Sequence, residues 1–352
     1  MQPHSSRTDR IIALLLGTAV GDALGLPREG LSPRRAARMF PGPLRHRFFF
    51  GRGMISDDTE HACMTAQALL RAPANERAFA RSLAWRLRGW LLGIPAGIGL
   101  ATLRSILRLW IGFPPDRSGV FSAGNGPAMR SPILGAVFGN DVENLRRYVR
   151  ASTRLTHSDP KAERGAMIVA IAARHATESR DGRIDANAFF DEATREAAGD
   201  QELLSLLESL RGHVERAAMT EEFAATMGLG RGVTGYIYHT VPVALFCWLR
   251  SPDDFERAVT DAISLGGDAD TVGAIVGALA GATVGTAGIP ARWLDGVMEF
   301  PRSIEWIRRL GEALAATESH PVRLAWPCIP LRNAVFIAIV LVHGLRRLLP
   351  PF

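Results

Sequence analysis

The chain has 352 residues, 47% hydrophobic and 22% charged, an ordinary globular balance that excludes intrinsic disorder and collagen-like repetition. Its three cysteines, Cys63, Cys247 and Cys328, stand far apart with no CxxC pair. That excludes a zinc ribbon and a disulfide framework and fits a reducing, cytoplasmic compartment. The charge balance is 41 basic against 35 acidic residues, but every basic residue except Lys161 is arginine. The arginines are scattered along the chain rather than gathered into a stripe, so no nucleic-acid partner is expected.

The first apolar run, Ile11 to Val20, follows Arg7 and Arg10 and superficially copies a secretory signal. It continues into Gly21-Asp22-Ala23 without a small-residue cleavage site, and is read as a buried helix. Asp22 interrupts that helix, which is costly unless the carboxylate is paired or supports a ligand site. Glu29 follows on a loop flanked by glycine and proline, where an acid can meet a ligand.

Next comes Ser56-Asp57-Asp58-Thr59-Glu60. One hydroxyl or carboxylate at a helix start is ordinary capping. Three carboxylates and two hydroxyls in succession exceed what capping needs, so the segment reads either as a well-capped surface helix or as a metal site. Beyond it, apolar residues recur at helical spacing: Cys63, Ala66 and Leu70, then Leu203, Leu206, Leu207 and Leu210, then Val272, Ile275, Val276 and Leu279. No hairpin of alternating strands is evident. The expected fold class is all-α, many helices around one core.

Between these helices lie further polar segments. Gly119 to Arg130 contains a glycine loop with Pro127 at a first helical position; it is a turn, or a set of backbone N–H groups facing an anion such as pyrophosphate. Thr156-His157-Ser158-Asp159 precedes an alanine-rich helix, and its histidine is structural or ligand-facing. Gly235-Tyr236-Ile237-Tyr238-His239-Thr240 places aromatic rings either in the core or against a base or ribose.

Gly266-Gly267-Asp268-Ala269-Asp270-Thr271 then opens a helix ridged by Gly273, Gly277 and Gly281. Glycine in a helix costs about 1 kcal/mol against alanine, so three in register call for close approach of a neighbouring helix. If this start and the Ser56 start face one point, six residues converge: Ser56, Asp57, Asp58, Asp268, Asp270 and Thr271. Hard oxygen donors suit Mg²⁺ or Mn²⁺ rather than zinc. Four carboxylates carry charge enough for two such ions, and the second cluster tips the first toward the metal reading.

Residues 9–312 are expected to form one domain and 313–352 a C-terminal appendix. The appendix holds the apolar run Ala334 to Val342 between Arg332 and Arg346-Arg347, too short to span a bilayer at about 20 residues. Docking on the core is the first expectation. A peripheral membrane contact through residues 331–349 is the second.

In order and in kind these segments resemble the ADP-ribosylglycohydrolase family. The matching stretches are Gly21-Asp22-Ala23-Leu24-Gly25 with Glu29, Ser56 to Glu60, Gly124 to Arg130, Thr156-His157, Gly235-Tyr236 with His239-Thr240, and Gly266 to Thr271. The resemblance implies a centre of two Mg²⁺ or Mn²⁺ ions held by Ser56, Asp57, Asp58, Asp268, Asp270 and Thr271. Ser56 stands where many members have threonine and keeps the hydroxyl. Glu29 and Asp58 are implied as the acid–base residues. Gly124, Asn125, Gly126, Met129, His157 and Tyr236 are implied near the ADP-ribose.

The activity implied is hydrolysis of the bond between ADP-ribose and an acceptor side chain, the partner being an ADP-ribosylated protein or other ADP-ribose conjugate. The alternatives are O-acetyl-ADP-ribose or a modified nucleic acid as substrate, or a non-catalytic ADP-ribose-binding or structural member. From about Ser319 the resemblance implies nothing.

Overall fold

Two antiparallel helices, Arg7–Gly25 and Ala269–Val284, organise the molecule. They meet in steps of four: Ala13 against Gly281, Gly17 against Gly277, Gly21 against Gly273, and Gly25 against Ala269. The contact is backbone to backbone. A Cβ added at Gly21 would lie 1.9 Å from the Gly273 carbonyl oxygen, and one at Gly17 would lie 2.0 Å from that of Gly277. Any side chain there would push the pair apart, which explains the recurrent glycine despite its helix cost. Arg10, itself buried, closes the far end by donating to the carbonyls of Ala282 and Thr283, which lie in the last turn and have no partner within their own helix.

The computed structural model describes residues 6–139, 141–179, 182–316 and 320–350. Among these are eighteen α-helices and no strands, only isolated bridges between loops. The fold is all-α, as the helical spacing predicted. Ile11 to Val20 lies wholly inside the core. The Leu203–Leu210 repeat falls on the helix Gln201–Glu215 and buries Leu203, Leu207 and Leu210.

Around the central pair pack the helices Asp57–Arg71, Pro160–Glu178, Ile237–Arg250 and Ile304–Ala315. Each start is locally specified. Ser56 Oγ accepts from the Asp58 N–H, and Asp159 caps the helix that begins with Pro160. Ile304–Ala315 runs through residue 312, where the sequence reading divides domain from appendix; Ser319 lies outside the described residues.

The last helix, Ile329–Arg346, docks by packing its Phe336 and Ile339 against Leu26, Phe48 and Met54 in a small apolar cluster. Its buried Arg332 donates to the Ile55 carbonyl at 2.5 Å and to Glu299 at 2.6 Å. Glu299 in turn accepts from the Ile55 N–H at 3.2 Å. Ile55, the residue just before Ser56, is thus held through both its N–H and its carbonyl.

Candidate metal centre

The glycine pairing brings the end of the first helix to the start of the Ala269 helix, and so sets Asp22 beside the acid clusters. The Asp22 carboxylate accepts from the Ser56 N–H (2.9 Å), the Thr59 N–H (3.1 Å) and the Thr59 hydroxyl (2.5 Å). It satisfies donors at the start of a helix 34 residues away, which offsets the cost of its burial. Desolvation raises its pKa to about 6, against the lowering effect of those hydrogen bonds.

From that start, Asp58 reaches across to the second cluster. Its Oδ2 accepts from Thr271 Oγ1 at 3.2 Å and from Ser56 Oγ at 3.2 Å. Asp58 and Thr271 are 213 residues apart in the chain. Asp58 and Asp270 are buried, and each keeps an Oδ1 with no protein partner.

Asp57, Asp58 and Asp270 all have pKa values well above the carboxylate range. Desolvation is the largest cause for each. Next in order comes Asp22 for Asp57, Asp57 for Asp58 and Glu29 for Asp270. Such mutual repulsion is what a cation would offset.

Glu29 is exposed on its loop, and its carboxyl feels the charge of the second acid cluster. Its pKa is raised first by desolvation and then by Asp268, while Arg347, at the C-cap of the last helix, pulls it down.

Short backbone links stitch the motif loops together. Gly30 N–H donates to Gly267 O (2.7 Å), Gly267 N–H to Leu31 O (2.8 Å) and Asp268 N–H to Val233 O (2.8 Å). Asn125 N–H donates to Gly235 O at 3.0 Å. Gly266 and Gly267 adopt φ of +64° and +74°, and a Cβ on Gly267 would lie 2.0 Å from Val233 O. Only glycine fits there.

The glycine loop, read as a turn or as a set of N–H groups facing an anion, uses several of its N–H groups internally. Asn125 N–H is taken by Gly235, and Ala128 and Met129 N–H both donate to Asn125 O. Its polar contribution is the Asn125 side chain, whose Nδ2 donates to Asp268 Oδ2 at 2.6 Å. Met129 is buried. Gly124 and Gly126 lie against the His157 ring, where Cβ atoms would sit 2.9 and 3.2 Å from it.

His157 is buried and bonds Thr156 Oγ1 through Nδ1 at 2.9 Å. Desolvation, followed by the charge of Arg130, pushes its pKa down to about 3. Arg130 is fully buried and ties Thr156 Oγ1 (2.7 Å) to the carbonyls of Ser152 (2.8 Å) and Gly126 (3.2 Å). Tyr236 is half-buried and donates to Glu202 at 2.7 Å while accepting from Lys161 at 2.9 Å.

Glu60 turns out of the group. Its carboxylate pairs with Arg302 at 2.5 Å and accepts from Trp90 Nε1 at 2.5 Å.

The donor set therefore fits hard divalent cations by its chemistry. It offers oxygen only, several carboxylates, two hydroxyls and two buried oxygens without partners. Among the described residues, no three acidic, histidine or cysteine side chains close on a single point; the carboxylates stand apart, as like charges do.

Several of these links escaped the sequence reading: Asp22 as the brace of a distant helix start, Asn125 on Asp268, Arg130 behind His157, and Arg347 beside Glu29. The first three lie inside recognised motifs, so their presence was visible and their partners were not. Arg347 carries no local signal.

An all-helical frame whose oxygen-rich cluster forms where two helix starts meet defines the class. Residues 3–322 match the ADP-ribosylglycohydrolase family, and the chain belongs to that family. It is 32% identical over 294 residues to an uncharacterized protein of Archaeoglobus fulgidus, covering 81% of this chain and 90% of that one. It is 29% identical over 318 residues to the ADP-ribosyl-[dinitrogen reductase] glycohydrolase of Rhodospirillum rubrum, with 88% and 96% covered. Over 209 residues it is 29% identical to human ADP-ribosylhydrolase ARH3, covering 51% of this chain and 56% of the human one. Among solved structures, an ADP-ribosylglycohydrolase-related protein complex superposes with a TM-score of 0.69 at 30% identity, covering 89% of this chain and 99% of that one.

Proposed function

We propose that this protein is a metal-dependent hydrolase that cleaves the N- or O-glycosidic bond between ADP-ribose and an acceptor side chain. The observation that carries the reading is the meeting of Asp58 with Thr271 beside the partnerless oxygens of Asp58 and Asp270. Ser56, Asp57, Asp58, Asp268, Asp270 and Thr271 would hold two Mg²⁺ or Mn²⁺ ions. When bound, such ions orient ribose hydroxyls and lower the pKa of a water.

The chain's own groups supply the rest. Water adds to C1″ as the bond to the acceptor atom breaks; one carboxylate takes the water's proton and a carboxylic acid returns one to the leaving side chain. Glu29 suits the proton-carrying role because burial and Asp268 raise its pKa and its loop is open to solvent; Asp58 is the other candidate. Asn125 fixes Asp268, and neutral His157 with Tyr236 lines the approach for the nucleotide. The products are ADP-ribose and the unmodified side chain.

The test is a panel of ADP-ribosylated arginine, serine and nucleic acid, offered to metal-depleted and metal-restored protein. Release of ADP-ribose from at least one linkage, restored by Mg²⁺ or Mn²⁺, is expected. Turnover unaffected by metal depletion, or ADP-ribose binding without turnover of any linkage, rejects the proposal.

A further inference from the structure

The last helix, Ile329–Arg346, lies beyond residue 322, where the family match ends, and its docked side carries polar residues beside Phe336 and Ile339. Arg332 and Asn333 are buried, and Asn333 donates to the Gly93 carbonyl at 2.7 Å. His343 stacks on Phe48 with ring centroids 5.0 Å apart and bonds the Phe48 carbonyl at 2.7 Å. The outward side carries Leu331, Val335, Leu341, Val342 and Leu345, with Leu348 just past the helix end, all exposed; Ala334, Ala338, Gly344 and Arg346 are the other exposed residues among them. A surface helix in water turns polar residues outward, whereas this one is apolar on both sides. A continuous apolar face of this kind marks an interaction surface.

Charge identifies what covers it. Segments 30–56 and 320–350 pack together through Phe48 on Phe336 and Arg35 on the Arg347 carbonyl. They hold ten of the chain's 41 basic residues and none of its 35 acidic ones, so the rest of the chain is net negative. The arginines that read as scattered along the sequence are partly gathered by folding. Trp326, just before the helix, and Phe50, 94% exposed on the turn that follows Phe48, are further exposed aromatic side chains of these two segments.

We infer that this face docks on an anionic membrane, the helix lying in the interfacial plane with its leucines and valines at the acyl boundary and the surrounding arginines on lipid phosphates. A second copy of the chain is disfavoured, because its arginines would meet these. Nucleic acid would leave the leucine face in water. The helix is long and apolar enough to cross a bilayer, but Arg332, Asn333 and His343 fasten it to the protein along its length, which fits lying on a membrane and not spanning one.

The test is sedimentation of the full chain with vesicles of phosphatidylcholine alone or mixed with phosphatidylglycerol, beside light scattering without lipid. Binding to the anionic vesicles only, weakened by salt, is expected. The exposed pairs Leu341→Ser/Leu345→Ser and Arg34→Glu/Arg346→Glu should each weaken it by about tenfold or more, with the melting curve unchanged. The inference is overturned by absence of binding to anionic vesicles, by equal binding to neutral ones, by binding that survives both variants, or by a stable dimer that Leu341→Ser/Leu345→Ser dissolves. Vesicle binding needs no turnover, so this result and that of the hydrolysis panel are independent.

Discussion

Thr271 Oγ1 donates to Asp58 Oδ2 at 3.2 Å, joining two helix starts that are 213 residues apart in sequence. Each start alone is explicable as capping; their contact turns two caps into one oxygen-rich centre. In Thr271→Val the methyl replaces a donor and ligand at nearly constant volume. Metal affinity and ADP-ribose release should fall by about 10–100-fold, with little change in far-UV circular dichroism. Calorimetric titration with Mn²⁺ checks it, and unaltered affinity would remove Thr271 from the centre.

Asp270→Asn separates stability from function. The wild-type carboxylate is buried near Glu29, Asp58 and Asp268, with one oxygen lacking a protein partner. Neutralising it should raise the melting temperature of metal-free protein, cancel stabilisation by Mg²⁺, and abolish hydrolysis. Melting with and without Mg²⁺ decides the matter; a lower metal-free melting temperature contradicts it.

Gly21→Ala should destabilise the protein by about 3 kcal/mol, the upper end of ordinary overpacking, since its Cβ would meet the Gly273 carbonyl oxygen at 1.9 Å. Gly89→Ala is the control. Gly89 lies in the helix Glu76–Leu92 with nothing within 4 Å of an added Cβ, so alanine there should stabilise by about 0.5–1 kcal/mol. Denaturant midpoints compare the two.

His157 should stay neutral across the physiological range. Its folded pKa is about 3 against 6.5 for the free side chain, so below pH 6.5 the unfolded chain binds a proton that the folded one refuses. Stability is therefore lost as pH falls from 6.5 toward 3, by at most about 1.4 kcal/mol per pH unit from this residue. His61, whose pKa is also pushed down by burial, acts with the same sign. His157→Gln should flatten the slope over that window. An imidazole resonance of His157 that titrates near pH 6.5 in the folded protein would refute the assignment.

Arg332→Met should cost about 3–5 kcal/mol, the penalty for leaving buried Glu299 without its partner. Adding Glu299→Gln should recover part of that loss, giving a coupling energy above about 1 kcal/mol in a double-mutant cycle. Additive losses would show that the pair does not act as a unit.

The readable part of this protein was local. Helix starts announce themselves by runs of Ser, Asp and Thr, and the ridge of Gly273, Gly277 and Gly281 announced a close neighbour. What stayed hidden was pairing across the chain. Nothing near Asp22 says that it braces Ser56 and Thr59, because that follows from the register of two helices. The last helix shows the same gap more sharply. Arg332 read as a charge flanking an apolar run, whereas it is the buried anchor and part of the run faces outward. Hydropathy identifies an apolar stripe but not which side of it the fold will claim.

The backbone of Ile55 is clasped by Glu299 at its N–H and Arg332 at its carbonyl, immediately before the first oxygen donors. The outermost helix is thus a handle on the innermost chemistry. Whatever pulls on that handle tugs directly on Ser56, with only one residue of slack to absorb the strain.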